Sequence, residues 1–416
     1  MKAASPSSKW LFSGTGLLVL LFLIPTLVAC STITGNDNAT PTGTAKASMT
    51  PTGTTSNGTP VVLLGVQPCP GDTGKPAHWQ AIFNPYAYGS QQHVESVSCA
   101  SILGNPSLQA LVTDRRADAG ATLDVFVFNN IAQATPAKVF QSMGLVKGDA
   151  KISGYNTVMT AQADQLSALN AGKPVSAMTA DLFREYKWSA SAGTLVQNIF
   201  PGIFPDLTRY QAEADQLQVN QGHQPWKLNA TMVANALAVS LINWSPSSST
   251  ALLSGGGAHD TDAVVKVRNS TVVSGTIIVT LSRLEGNIHG GIWEAIAVKA
   301  DGMSITSPDP LAVLSNPVSV KGTGSAFEGV IGQIMVLDHL YHSLGHTSAI
   351  GVVGNGPTSF STSLSYQSTF PAGTQEGVLV LYAPSNANGS IAAAVMEKVL
   401  VRGLQNRSDM TDPCSC

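Results

Sequence analysis

No core can be assembled from the first sixty residues of this chain. Met1 is followed by a basic segment with Lys2 and Lys9, then by the apolar run Leu17-Leu18-Val19-Leu20-Leu21-Phe22-Leu23-Ile24. That run is shorter than the roughly 20 residues a spanning helix needs, and Pro25 breaks it. Small residues then precede Cys30, so the segment 1–29 reads as an export signal with its cleavage site. Residues 30–60 are dominated by Thr, Ser, Gly, Asn, Ala and Pro, with Asp37 and Lys46 the only charges. Such a composition cannot bury enough apolar surface to offset chain entropy, and it reads as a disordered tether. About thirty flexible residues span tens of ångströms. Folding therefore begins near residue 61.

The tetrad Leu27-Val28-Ala29-Cys30 resembles the lipobox of bacterial lipoproteins. The resemblance implies cleavage before Cys30 and lipidation of that cysteine, which becomes the new N-terminus. A multiply acylated cysteine anchors firmly where one chain would be marginal. The expected partner is thus the membrane, and the expected location its extracytoplasmic face, with the folded part held off on the tether. An ordinary signal peptide with an incidental cysteine is the alternative.

Of the 416 residues, 44% are hydrophobic and only 11% charged. The net charge of −3 and a pI near 6.2 give no basic stripe, so nucleic acid is not an expected partner. About 350 residues remain after the signal and tether, enough for two or three domains. Export permits disulfides, and Cys69 with Cys99 would close a loop of about 30 residues worth about 3 kcal/mol in the chain-entropy model. Cys414-Ser415-Cys416 is too tight for an easy bridge and too sparse for a zinc site.

The periodicity predicts an α+β N-terminal domain over 61–205. Strands are expected at 108–113, 123–128, 150–160 and 182–188, and a helix from Thr135, with Thr as cap and Pro136 in its first turn. An α+β unit over 206–302 follows. One helix opens at Asp206-Leu207-Thr208 and runs to about Asn220; Asn229 caps another that leaves almost no polar face and reads as packed on both sides. Strands at 263–267, 276–284 and 292–298 complete it. In element order this unit resembles cystatin-like or NTF-like rolls, which often hold an apolar pocket.

The segment 303–402 carries Ile305-Thr306-Ser307-Pro308, then Val318-Ser319-Val320-Lys321-Gly322-Thr323 before Phe327-Glu328, and a late Asn388-Gly389-Ser390. This is similar to the Gmad-type immunoglobulin-like domain of bacterial spore-germination lipoproteins, with Asn388 where that family usually has an acidic residue. The resemblance implies an all-β immunoglobulin-like sandwich. Short apolar strands between Gly, Pro, Asn and Ser turns point the same way. Residues 403–416 form a tail.

Chemistry-bearing motifs are sparse. Asp338, His339, His342 and His346 cluster in sequence, but on a hairpin their side chains diverge, and a solvated polar loop is expected rather than a metal site. The loop Gly255-Gly256-Gly257-Ala258-His259-Asp260-Thr261-Asp262 lacks the following helix that a phosphate cradle needs. Asp181, Arg184, Glu185 and Lys187 read as a solvated strand edge, and Asp206, Arg209, Glu213 and Asp215 as an exposed helix face. Trp79, Phe83, Tyr86 and Tyr88 either line a ligand platform or staple their segment to the next domain. There is no Gly-x-Ser-x-Gly elbow and no His-Glu-x-x-His. The expectation is a non-enzymatic surface lipoprotein without catalytic residues, metal or cofactor, binding or scaffolding a cell-wall or surface-protein partner. A small-molecule receptor with its pocket in the 206–302 roll is the main rival, and a secreted hydrolase the lesser one.

Overall fold

The computed structural model describes residues 62–83, 92–117, 120–269, 275–286, 290–352, 356–385 and 389–404, which belong to one unit, Thr54–Cys416. Cys30, the tether, Tyr86, Tyr88, Asn388, Cys414 and Cys416 lie outside the described residues. Strands β1 (Gln92–Ala100), β2 (Gln109–Arg116), β3 (Leu123–Asn129) and β4 (Ala137–Leu145) pair in sequence order as an antiparallel sheet. A second such sheet is built from β5 (Asp149–Ile152), β6 (Val158–Gln162), β7 (Leu182–Ser189) and β8 (Thr194–Asn198). Residues two apart on a strand share a face. Leu123, Val125 and Val127 of β3 accordingly join Ile152, Val158 and Leu195 in the core between the sheets. On the other face Phe126 and Phe128 meet Trp79 and Phe83 of helix α1 (Pro76–Phe83).

The segment 62–205 is thus β-rich rather than an even α+β mixture, with eight-residue α1 its one described α-helix. The helix expected from Thr135 is instead the edge strand β4, where Val127 faces Phe140 and Val125 faces Ser142. Pro136 lies just before the strand, where no ladder hydrogen bond is demanded of it, and long-range pairing overrides the cap-like signal.

Next come α2 (Arg209–Asn220) and α3 (Ala230–Ile242). The Thr208 side chain accepts from Gln211 N, and Asn229 Oδ1 accepts from Thr231 N and Met232 N at 3.0 and 3.2 Å. These caps satisfy otherwise orphaned amides. Helix α3 lays Val233, Ala234, Leu237, Ala238 and Ile242 into the core, while Met232 is exposed. It is therefore packed on one face, not both, because the sheet beside it covers one side only. That sheet holds β9 (Ser249–Gly255), β10 (Asp262–Arg268), β11 (Thr276–Ser282) and β12 (Glu294–Lys299).

The remaining strands are β13 (Ser304–Ser307), β14 (Val318–Ser325), β15 (Val330–Leu337), β16 (Ser343–Ile350), β17 (Pro357–Leu364), β18 (Thr374–Pro384) and β19 (Ile391–Arg402). Sheet β13-β14-β17 packs its Val318, Val320, Phe360 and Leu364 against Ile334, Val336, Leu379 and Val399, forming a sandwich. Its partner layer does not stop at residue 303. Ala297 and Val298 of β12 pair with Glu397 and Met396 of β19, giving one eight-stranded sheet ordered β16-β15-β18-β19-β12-β11-β10-β9. Among the described residues no helix is long and apolar enough to cross a membrane.

Candidate functional site

The cavity with the clearest ligand-like character lies in the N-terminal module. It measures about 570 Å³ and is lined by His78, Ala81, Ile82, Phe83, Phe126, Phe128, Ala134, Thr135, Pro136 and Lys138. Its size and mostly apolar wall with a few polar groups suit a small organic ligand. The floor is set by ring packing. Phe83 sits 4.9 Å from Phe126 and 5.8 Å from Phe128, and Trp79 lies 4.9 Å from Phe128 behind them. Trp79 is wholly buried and donates from its indole to Thr73 O at 2.6 Å. Trp79 and Phe83 thus act as staples, and Phe83 also faces the cavity. The segment is held at its start by the disulfide between Cys69 and Cys99 and by Gln67 N donating to Cys99 O at 2.7 Å. At the rim, the Lys138 ammonium stands 5.8 Å over the Phe126 ring and donates to Gln141 Oε1 at 2.6 Å. The alternation of Phe126 and Phe128 was readable; their meeting with α1 and with Pro136 and Lys138 was not.

In the 206–302 roll, where the rival receptor reading would put an apolar pocket, Leu237, Trp244, Val265, Val279 and Trp293 belong to one buried core. A second cavity lies beside the end of β19 and is walled largely by polar groups, among them Asn316, Ser365 and Arg402. Arg402 there already donates to Leu314 O at 3.1 Å.

The two charged sets expected on solvated faces are buried or half-buried, apart from Lys187. Asp181, Glu185 and Asp206 are nearly inaccessible, whereas Lys187 is exposed. Arg209 bonds Glu185 at 2.9 Å and also Glu285, and its guanidinium covers the rings of Tyr155 and Phe200. Arg184 donates to Thr374 O and Ala372 O, and Glu213 accepts from Gly154 N. Asp206 and Asp215 share Lys227, and Asp206 N donates to Glu294 at 3.2 Å. Burial and then the neighbouring Asp206 push the Glu294 carboxyl well above its ordinary range. Lys398 is 1% exposed and donates to Gly202 O at 2.8 Å and to Leu207 O. Burial pulls its ammonium down to about 7. Partners from distant segments, which local sequence cannot display, offset part of the burial cost of these groups. The network joins elements that are distant in the chain.

The histidines part company. Asp338 and His339 are buried, contrary to a solvated loop, because the turn between β15 and β16 folds inward: Asp338 Oδ1 accepts from Leu340 N and His342 N at 2.8 Å each. His339 Nε2 lies 3.9 Å from Asp181, His342 is exposed beside Asp338, and His346 is exposed on β16. Among the described residues no three His, Cys, Asp or Glu side chains converge as a metal site. The Gly-rich loop joins β9 to β10 in a hairpin, with Gly257 N donating to Asp260 at 2.8 Å.

One edge of the eight-stranded sheet is open. Strand β9 is exposed along all seven residues, carries no charge, and presents Leu252 and Leu253 at 48% and 54% exposure. No protein-family model, curated protein or solved structure matches the chain.

Proposed function

We propose that the chain is a non-catalytic binding protein of the bacterial cell surface, anchored by lipid on Cys30 at the extracytoplasmic face of the membrane. In this reading the tether spaces the folded unit toward the wall, and the C-terminal sandwich is an immunoglobulin-like module of the Gmad type. The observation that carries it is the cavity walled by Phe83, Phe126 and Phe128, a preformed concave site whose mostly apolar lining includes a few polar groups. A scaffolding role is the second reading, favoured by the uncharged open edge β9, because an unpaired strand is a template for an incoming extended segment.

The anchoring part is tested by fractionating cells that express the full chain and its Cys30→Ser variant. The wild type is expected in the membrane fraction, labelled by a radioactive fatty acid, and the variant unlabelled. Equal labelling of both would remove the lipid-anchor reading. The binding part is tested by mixing the purified chain with isolated wall sacculi and assaying sedimentation and released fragments together. Saturable sedimentation without release is expected; released fragments would overturn the non-catalytic assignment.

A further inference from the structure

The aromatic cavity carries a sign as well as a shape, and that sign narrows its ligand. Among the described residues ten line it, and neither an aspartate nor a glutamate is one of them. The polar members are His78, Thr135 and Lys138, each able to donate a hydrogen bond. Lys138 forms no ion pair among the described residues; its ammonium rests over the Phe126 ring with only a neutral amide, Gln141, as hydrogen-bonding partner. The His78 Nε2 atom is buried and has no hydrogen-bond partner among the described residues. The nearest acid on the same segment, Asp72, is paired with Lys75 at 2.6 Å. An apolar floor thus meets a donor-rich rim with an unneutralised cation.

Building on the binding-site reading above, we infer that the cavity takes a small amphipathic anion: a flat aromatic or compact apolar body against Phe83, Phe126 and Phe128, with its carboxylate, sulfonate or phosphate group at Lys138. The body is held by apolar burial and ring contacts, which tolerate many shapes. The head group is held by a charge-assisted hydrogen bond, which does not tolerate a neutral substitute. Lys138 is the second residue of the edge strand β4 and lies two positions after Pro136, so the cation is placed by the strand and not by a loop. The rim selects against cations for the same reason.

The test uses two fluorescent probes that share one body, anilinonaphthalene sulfonate and its uncharged counterpart phenylnaphthylamine. The protein is residues 54–416, the unit that contains the described cores and the Cys69–Cys99 disulfide. Titrations are run on wild type, Lys138→Gln and Ala134→Trp, each first shown to share one melting temperature and far-ultraviolet spectrum. Ala134 is an exposed wall residue, so the indole fills the cavity without entering the core. The sulfonate is expected to bind wild type about tenfold more tightly than the neutral probe, the size of one charge-assisted contact. Lys138→Gln should erase that difference and leave the neutral probe unchanged, and Ala134→Trp should abolish both. If both probes bind equally, ignore Lys138→Gln and are still blocked by Ala134→Trp, the anion preference is wrong while the cavity remains a binding site. If Ala134→Trp blocks neither probe, the cavity reading itself falls and this inference with it.

Discussion

Two neighbouring residues of β19 show how burial can outweigh neighbouring charges in setting a protonation state. Glu397 and Lys398 point to opposite faces of the strand, and both lie far from their ordinary values. Half-burial, and then the nearby Asp309, raise the Glu397 carboxyl to about 7, with Lys299 opposing; its Oε2 has no hydrogen-bond partner among the described residues. A carboxyl raised in the folded state binds its proton more tightly there than in the unfolded chain. Its contribution to stability is therefore fully present below about 4.5 and is lost as pH rises through about 7. Glu397→Gln removes this dependence. The variant should match wild type near pH 4.5 and exceed it by about 1 kcal/mol above pH 7, after allowing for solvent screening. Urea midpoints at the two pH values check this, and a gap that does not change with pH would exclude Glu397 as its source.

At the scale of elements, β9 carries little of the usual protection of sheet edges. Natural edges are short, charged, bulged or covered. This one keeps only a register shift between Val264 and Val265 of its partner β10. Placing lysines at Thr250 and Leu253, both exposed, should leave the melting temperature within the small range of surface changes and suppress concentration-dependent association, read by sedimentation velocity. Equal association of both proteins would clear β9 of the role. Other elements show what a sequence can and cannot display. Helices α2 and α3 were legible because Thr208 and Asn229 announce their starts locally. The alternation of Ile277, Val279 and Leu281 marked β11 for the same reason. Strand β4 was not legible: Thr135-Pro136 imitates a helix start, and only pairing with β3 decides otherwise. The cavity shares that defect. Its rings were visible as separate apolar positions, but the wall exists only once α1, β3 and the approach to β4 converge.

For the whole molecule, the decisive charges are those that hold the N-terminal sheets to the rest. Arg209 of α2 reaches Glu185 on β7 and Glu285 beyond β11, and further polar contacts run from Arg184 to Thr374 and from Tyr155 to Leu284. A junction made this way is specific but brittle, because removing one partner strands the other charges without water. Glu185 and Glu285 are each almost fully buried. Arg209→Ala should therefore cost about 3–5 kcal/mol above pH 8 and separate the calorimetric transition of the N-terminal sheets from the remainder. The loss should depend on pH. Burial already raises the Glu285 carboxyl to about 8 despite Arg209, and without the guanidinium it is raised further, so the Glu285 share of the deficit is small near pH 7 and grows as pH rises past about 8. Adding Glu185→Gln and Glu285→Gln to Arg209→Ala removes the stranded charges and should recover most of the stability, since a buried ion network contributes little beyond neutral groups of similar shape. An unsplit transition in Arg209→Ala, at the wild-type temperature, would show that apolar contacts and not this network join the two parts. A split that the two added glutamines do not close would assign the loss to the guanidinium's cover over Tyr155 and Phe200 instead.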